Sequence, residues 1–270
     1  MAITTEDGLI AALAAGERFS WHKQSATAEG AGTWHSLWKI AGYPAAGASP
    51  PAFTAGSGYT PTRTTLGAFP FSNPTNNAYL GKLGLTGTVV GSLIVYDRLW
   101  ACSGFVTNSV STQTVTTPGN LPSGRDPLSG DDVEPWLEVY SAPGATGATW
   151  TLAGTDSGGN SVNWTYTHPA NAESVGQMMP FTGGTATERG IRQVTSLTCS
   201  ISSGTAGDVG VTLLRRLAEI PITTANLSAV FDAFALGLPE VYDDACLALM
   251  VQCSTTSTGL MLGQLALAKD

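Results

Sequence analysis

The chain has 270 residues and a formal net charge of −8, enough length to bury a core that needs neither metal nor disulfide, and no Lys/Arg cluster dense enough for direct nucleic-acid binding. Charged residues are only 12% and hydrophobic residues 43%; the charged share is roughly half the ~25% of ordinary soluble domains, and Thr, Ser and Gly supply the missing polarity. The 32 Gly and 15 Pro follow no strict period, which excludes collagen-like and coiled-coil architectures, and no window offers the ~20 apolar residues of a membrane-spanning helix.

The start, Met1-Ala-Ile-Thr-Thr-Glu-Asp-Gly, lacks a basic n-region, and Leu9 to Ala15 is too short for a signal-peptide core, so cytoplasmic synthesis is expected. Residues 4–16 read as a helix: Thr4 precedes Asp7 by three positions in a capping-box-like arrangement, and Leu9, Ile10 and Leu13 form an apolar face that ends at Gly16. From Glu17 to about Thr86 the sequence is irregular and rich in Ala, Gly and Pro. It is interleaved with Trp21, Trp34, Trp38, Tyr43, Phe53, Tyr59, Phe69, Phe71 and Tyr79. So many large apolar groups cannot stay in water, so this arm wraps its own domain or embraces a neighbouring subunit.

Past Gly87 strand signals are dense. Thr88 to Tyr96 is a β-branched and aromatic run, Phe105 to Val115 alternates, and Trp136 to Tyr140 alternates cleanly. Trp150 to Leu152 is short, and Val162, Trp164 and Tyr166 share one face of a strand. Asp156-Ser-Gly-Gly-Asn between these last two is the strongest hairpin turn, because Gly and Asn tolerate positive φ. Later strands are expected at Ile191–Ile201, Val209–Leu217, Cys246–Cys253 and Gly259–Ala268. One helix interrupts them: Leu227, Val230, Phe231 and Phe234 fall at i, i+3, i+4 and i+7, with Thr223 or Thr224 as N-cap and Gly237 and Pro239 closing it. The segments Gly91–Trp100 and Gly210–Ala218 share a strand ending in Arg and Leu, a similarity that two short apolar strands reach by chance. The whole reads as mainly β: an antiparallel β-sandwich or jelly-roll-like domain over residues 87–270, preceded by a helix and extended N-terminal arm over 1–86, with one or two short helices.

Signatures of catalysis are missing: no G-x-S-x-G elbow, Walker A motif, Rossmann glycine fingerprint or H-E-x-x-H occurs. His22 and His35 sit beside tryptophans, where an imidazole is more often a packed hydrogen-bonding group than a base, and His168 precedes Pro169 at an expected loop. Asp126, Asp131, Asp132 and Glu134 are the best metal candidates, as hard oxygen ligands on one loop suit calcium, but EF-hand spacing is absent and a solvated turn is the simpler reading. Glu173, Asp208, Asp243 and Asp244 are isolated. A glycosidase carboxylate pair has no specific support. Cys102, Cys199, Cys246 and Cys253 lie far apart without C-x-x-C and read as buried free thiols. Trp136, Trp150, Trp164 and Tyr166 would suit a sugar-stacking platform, but aromatics alternating with Thr are more simply the inward face of a sheet. No catalytic, cofactor-binding or metal residue is therefore assigned, no cofactor is called for, and the chain is read as non-enzymatic.

Several phrases carry a resemblance: the start Met1-Ala-Ile-Thr-Thr with Asp7-Gly-Leu-Ile, His35-Ser-Leu-Trp-Lys-Ile-Ala-Gly-Tyr-Pro-Ala-Ala-Gly, Asp97-Arg-Leu-Trp-Ala-Cys-Ser-Gly, and Glu188-Arg-Gly-Ile-Arg-Gln-Val ahead of a Thr/Ser-rich strand. In these the chain resembles virion structural proteins of tailed bacteriophages. The resemblance implies a particle component located in the virion and assembled in the bacterial host cytoplasm. The chain shows neither the long charged spine helix of the usual major capsid subunit nor the repeats of a tail fibre, so a capsid decoration or cement protein fits better. Its implied partners are the major capsid protein and copies of itself, commonly as a trimer, with the arm Glu17–Thr86 making the contacts. The alternative is a surface carbohydrate-binding or receptor-facing module at the neck, tail or fibre.

Overall fold

The computed structural model describes residues 3, 5–25, 30–55, 58–74, 77–126, 128–168, 173–183 and 190–269. The chain is mainly β and antiparallel, built around one closed barrel with a sheet packed on either side of it. Two strands organise it: β5 (Gly91–Val106) and β13 (Asp208–Ile222) pair along their whole lengths. At ~3.3 Å per residue a strand of this length runs about 50 Å, long enough to serve two layers in succession. The barrel is completed by β7 (Val133–Ser141), β10 (Gln177–Pro180), β2 (Trp34–Ser36) and β16 (Leu247–Cys253), in the order β10-β2-β16-β5-β13-β7.

The two segments that share a strand ending in Arg and Leu are therefore β5 and β13, hydrogen-bonded neighbours. β5 is buried almost continuously from Leu93 to Ser103, as expected of a strand covered on both faces. Ile94 and Tyr96 join Trp38, Trp136, Leu214, Ala248 and Met250 in one core cluster. Leu93 and Val95, on the opposite face, pack with the first sheet. Beyond Arg98 an extra residue, Leu99, shifts the register against β13. From there Leu99, Trp100, Cys102 and Phe105 pack with the second sheet.

The first sheet, here sheet A, runs β14-β4-β17-β1-β3, from β14 (Ala229–Asp232) through β4 (Ala78–Gly87), β17 (Met261–Lys269) and β1 (Arg18–Lys23) to β3 (Gly42–Tyr43); β15 (Glu240–Val241) also pairs with β4. The second, sheet B, contains β8 (Ala148–Asp156), β9 (Ser161–His168) and β12 (Ile191–Cys199), edged by β11 (Thr182–Gly183) and β6 (Gln113–Thr114). The β8–β9 hairpin is the one the sequence announces: Gly159 takes φ 91, and Asp156 Oδ1 accepts from Asn160 N at 2.7 Å. Trp164, with Val162 and Tyr166 beside it, packs inward as expected. All four cysteines are free and buried.

Helix α1 (Glu6–Ala15) forms inside the expected 4–16 span, capped by Thr5, whose side chain accepts from Gly8 N at 3.0 Å; Thr4 lies outside the described residues. The second helix is corrected. Only Ala233–Leu236 is helical (α2), capped by Asp232, and Gly237 closes it at φ 73. Val230 and Phe231 lie on β14 and pair with β4, and Leu227 precedes that strand. The helical spacing has no buried stripe behind it: Leu227, Val230 and Phe234 are all exposed, whereas pairing with β4 satisfies the backbone of two residues that favour strands.

The irregular stretch is present between β3 and β4, interrupted by the short 3-10 turn Phe53–Ala55. Of the two roles expected for the 17–86 arm, wrapping its own domain is seen in its largest aromatics: Trp21, Trp38, Phe69 and Phe71 are buried, and its two ends supply β1 and β4 of sheet A. Polar ties fix it as well. Lys23 Nζ donates to Ile40 O and Pro44 O at 3.1 and 2.7 Å, Trp38 Nε1 donates to Ala48 O at 2.9 Å, and Arg125 Nη1 donates to Pro61 O at 2.6 Å.

Among the described residues, three of the ionic pairs have both side chains buried. Inside the barrel, Arg98 Nη2 donates to Glu138 Oε2 at 2.7 Å, Thr212 and Tyr140 donate to the same oxygen at 2.7 and 2.8 Å, and the guanidinium lies 4.9 Å from the Trp38 ring centroid. Burial alone would raise the Glu138 carboxyl, but Arg98 and these hydroxyls hold it below its ordinary value. On the other face of β5, Asp97 pairs with Arg125 and accepts from Cys246 N. At the end of β9, His168 Nδ1 stands 3.5 Å from Glu173 Oε1, both side chains buried, with Tyr166 and Cys199 the other titratable groups facing the acid. Burial pushes Glu173 up from 4.5 to about 7.

Removing one partner of the barrel pair strands the other. Glu138→Leu is expected to cost about 3–5 kcal/mol, and the double change Arg98→Met with Glu138→Leu to recover most of it; urea denaturation of the three proteins checks this. Glu173 binds its proton more tightly folded than unfolded. Its contribution is therefore greatest below 4.5 and is lost as pH rises through about 7, by about 3 kcal/mol in all. Denaturation midpoints across that window should fall for the parent and stay flatter for Glu173→Gln; equal slopes would assign the pH dependence to other groups.

Candidate functional site

The residues singled out by sequence are dispersed. His22 is exposed on β1. His35 is buried on β2 with Nε2 2.9 Å from Thr33 Oγ1, and burial lowers it to about 4, so the ring is neutral at physiological pH. His168 stands beside Glu173. The four acidic side chains of the 126–134 loop diverge: Asp126 accepts from Gly130 N, Asp132 lies 4.0 Å from Arg215, and Glu134 accepts from Trp136 Nε1 and Arg216 Nη2. Asp131 lies within reach of Ser157. Asp208 accepts from Gly104 N, Asp244 pairs with Arg63, and Asp243 is exposed. Among the described residues no group of three His, Cys, Asp or Glu comes together to hold a metal ion. Trp136, Trp150 and Trp164 are buried, so the sugar-stacking platform does not form on the surface.

What the fold does assemble is an apolar groove on the outer face of sheet A. Helix α1 crosses β17, and α2 lies against β4. Gly81 of β4 makes the close approach of α1 possible: a Cβ there would come within 2.6 Å of Leu13 Cδ2. Between the two helices opens a groove of about 660 Å³, walled by Leu9, Ile10, Leu13, Phe19, Phe234 and Leu265. Past Lys82 and Gln264, which border both, it continues into a depression walled by Val230 and Leu262.

The side chains there are large and wet. Phe234 is 78% exposed, Val230 62% and Ile10 59%, and a contiguous apolar surface rimmed by polar residues marks a contact site more often than a solvated face. The rim carries Glu6 and Asp232 together with Arg18 and Lys82, all exposed. Sequence reading had five of these residues in hand, Leu9, Ile10, Leu13, Val230 and Phe234, but assigned them to the apolar faces of helices. No local pattern could have joined them, since the walls come from elements between Glu6 and Ala266.

No protein-family model and no curated protein matches the chain. Among solved structures it is similar to that of the infectious bursal disease virus Gt strain, at 12% identity over 93% of this chain and 80% of that one, with a TM-score of 0.22. It is similar also to the VP2 subviral particle of the same virus (11% identity, 93% and 80% covered, TM-score 0.24) and to T=1 particles derived from infectious bursal virus (12%, 93% and 77%, 0.19). TM-scores of this size do not mark a shared fold, and the reading of function rests on the molecule's own surface.

Proposed function

We propose that this chain is a non-enzymatic structural component of a virus particle, and more specifically a decoration or cement protein that binds the shell of a tailed bacteriophage. The observation that carries this reading is the apolar outer face of sheet A, with Phe234, Val230 and Ile10 left in water when the chain stands alone. Exposing such groups is unfavourable by ~25 cal/mol per Å², so the face gains stability wherever a partner covers it. The charged groups of the interior are, by contrast, engaged with one another, as Arg98 is with Glu138 and Asp97 with Arg125. The resemblance in short phrases to phage virion proteins gives the partner class: the major capsid protein and further copies of this chain.

Cryo-electron microscopy of intact particles, with peptide mass spectrometry to identify the chain, tests the proposal. Density for this fold is expected at repeated, symmetry-related positions of the shell, with the outer face of sheet A against protein. Copies confined to one vertex would move the chain to the neck or tail, and absence from the particle would sink the structural reading.

A further inference from the structure

We propose that the outer face of sheet A joins two copies of this chain about a twofold axis, the Phe234 side chain of each entering the groove between α1 and α2 of the other. This rests on the reading of the chain as an assembly subunit and names the partner that covers the face. A twofold contact uses one patch twice, so the patch must complement itself: every projection on it needs a recess on the same patch. Phe234 is the projection, 78% exposed at the edge of the groove it helps to wall, and the groove of about 660 Å³ beside it is the recess. Leu9 and Leu13 offer that ring an apolar wall.

The rim supplies a second argument. Glu6 and Asp232 stand around the same opening as Arg18 and Lys82, with Asp232 opposite Lys82 in the β14–β4 register, so the rim carries both signs in equal number and meets its own copy without net repulsion. A partner of one sign would leave half of these charges opposed, and a purely apolar partner would strip water from all four without replacing it. The overall charge of −8 disfavours random association of copies, which makes a balanced rim at this one face more specific. Finally, β14, which leads into α2, is the edge strand of sheet A, so a neighbour can approach α2 without displacing a strand. The trimer implied by the sequence resemblance would need distinct projecting and receiving faces; here both lie on one.

Sedimentation of the full chain across a range of concentrations tests the pairing. The parent is expected to sediment as a dimer at the upper end. Phe234→Asp is expected to weaken the dimer at least about tenfold, as loss of a central aromatic anchor does, with an unchanged denaturation midpoint in the dilute monomer. Lys82→Glu is expected to weaken it less, and more at low salt than at high. A parent that stays monomeric, or a Phe234→Asp variant that dimerises as the parent does, overturns the inference. A monomeric parent whose Phe234→Asp variant loses its place on the shell assigns the groove to another shell protein and likewise overturns it. A dimer sensitive to Phe234→Asp but missing from particles keeps this inference and sinks the particle reading alone.

Discussion

Asp97 and Arg98 are consecutive on β5, so they point to opposite faces, and both are buried. Each needs an opposite charge on its own side: Arg125 for Asp97, Glu138 for Arg98. Slipping the strand by one residue would place either Asp97 against Glu138 or Arg98 against Arg125, replacing two attractions with one repulsion and one buried charge left without its partner, in a medium that screens little. Hydrophobic pattern alone gives a weaker veto on this strand, since it is apolar on both faces and a slipped register still buries Leu, Ile and Val. The ion pairs therefore specify the register of the barrel more than they add to its stability, for the desolvation of four charges offsets most of their attraction.

From that register the layers follow. Arg125 also donates to Pro61 O and Arg98 O, and Asp97 accepts from Cys246 N, so one cluster ties the irregular segment, the 121–126 loop and the start of β16 to the middle of β5. Inside, Glu138 gathers Arg98 from β5, Thr212 from β13 and Tyr140 from its own strand, with Trp38 stacked on the guanidinium. The barrel is thereby held at its midpoint, and the two halves of β5 and β13 are free to carry sheet A at one end and sheet B at the other.

Legibility in the sequence tracks how each strand is buried. β8 alternates buried and half-buried along its length, and it and its hairpin to β9 were readable because one face meets water. β5 was read only as far as Tyr96, because Asp97-Arg98 looks like a break in an apolar run; the charges are interior, and the strand passes through them to Val106, whereas of the separate strand expected at Phe105–Val115 the part beyond β5 is reduced to Gln113–Thr114. β4, with Gly at three of its ten positions, has too little β-branched character to announce itself. The segment around Val230 failed in the opposite way, since helical spacing was present but the side chains were destined for water or a partner. The groove was illegible for the same reason: its apolar residues Ile10, Val230 and Phe234 lie at the surface, where a reading based on the chain's own core expects them buried.

The two outer sheets then differ in a way that orients the molecule. On sheet B the water-facing pairs are hydroxyls and amides: Thr149 opposite Thr167, Thr151 opposite Thr165, Ala153 opposite Asn163 and Thr155 opposite Ser161, with Thr149 and Thr167 hydroxyls 3.0 Å apart. Such a face is solvated without charge, and it explains how a chain with 12% charged residues stays compatible with water. Sheet A presents Val230, Leu262 and Phe234 instead. Because the barrel separates the sheets, covering one leaves the other untouched. In the proposed assembly, sheet A therefore lies in the contact and sheet B faces solvent, an orientation set by side-chain chemistry before any partner is placed.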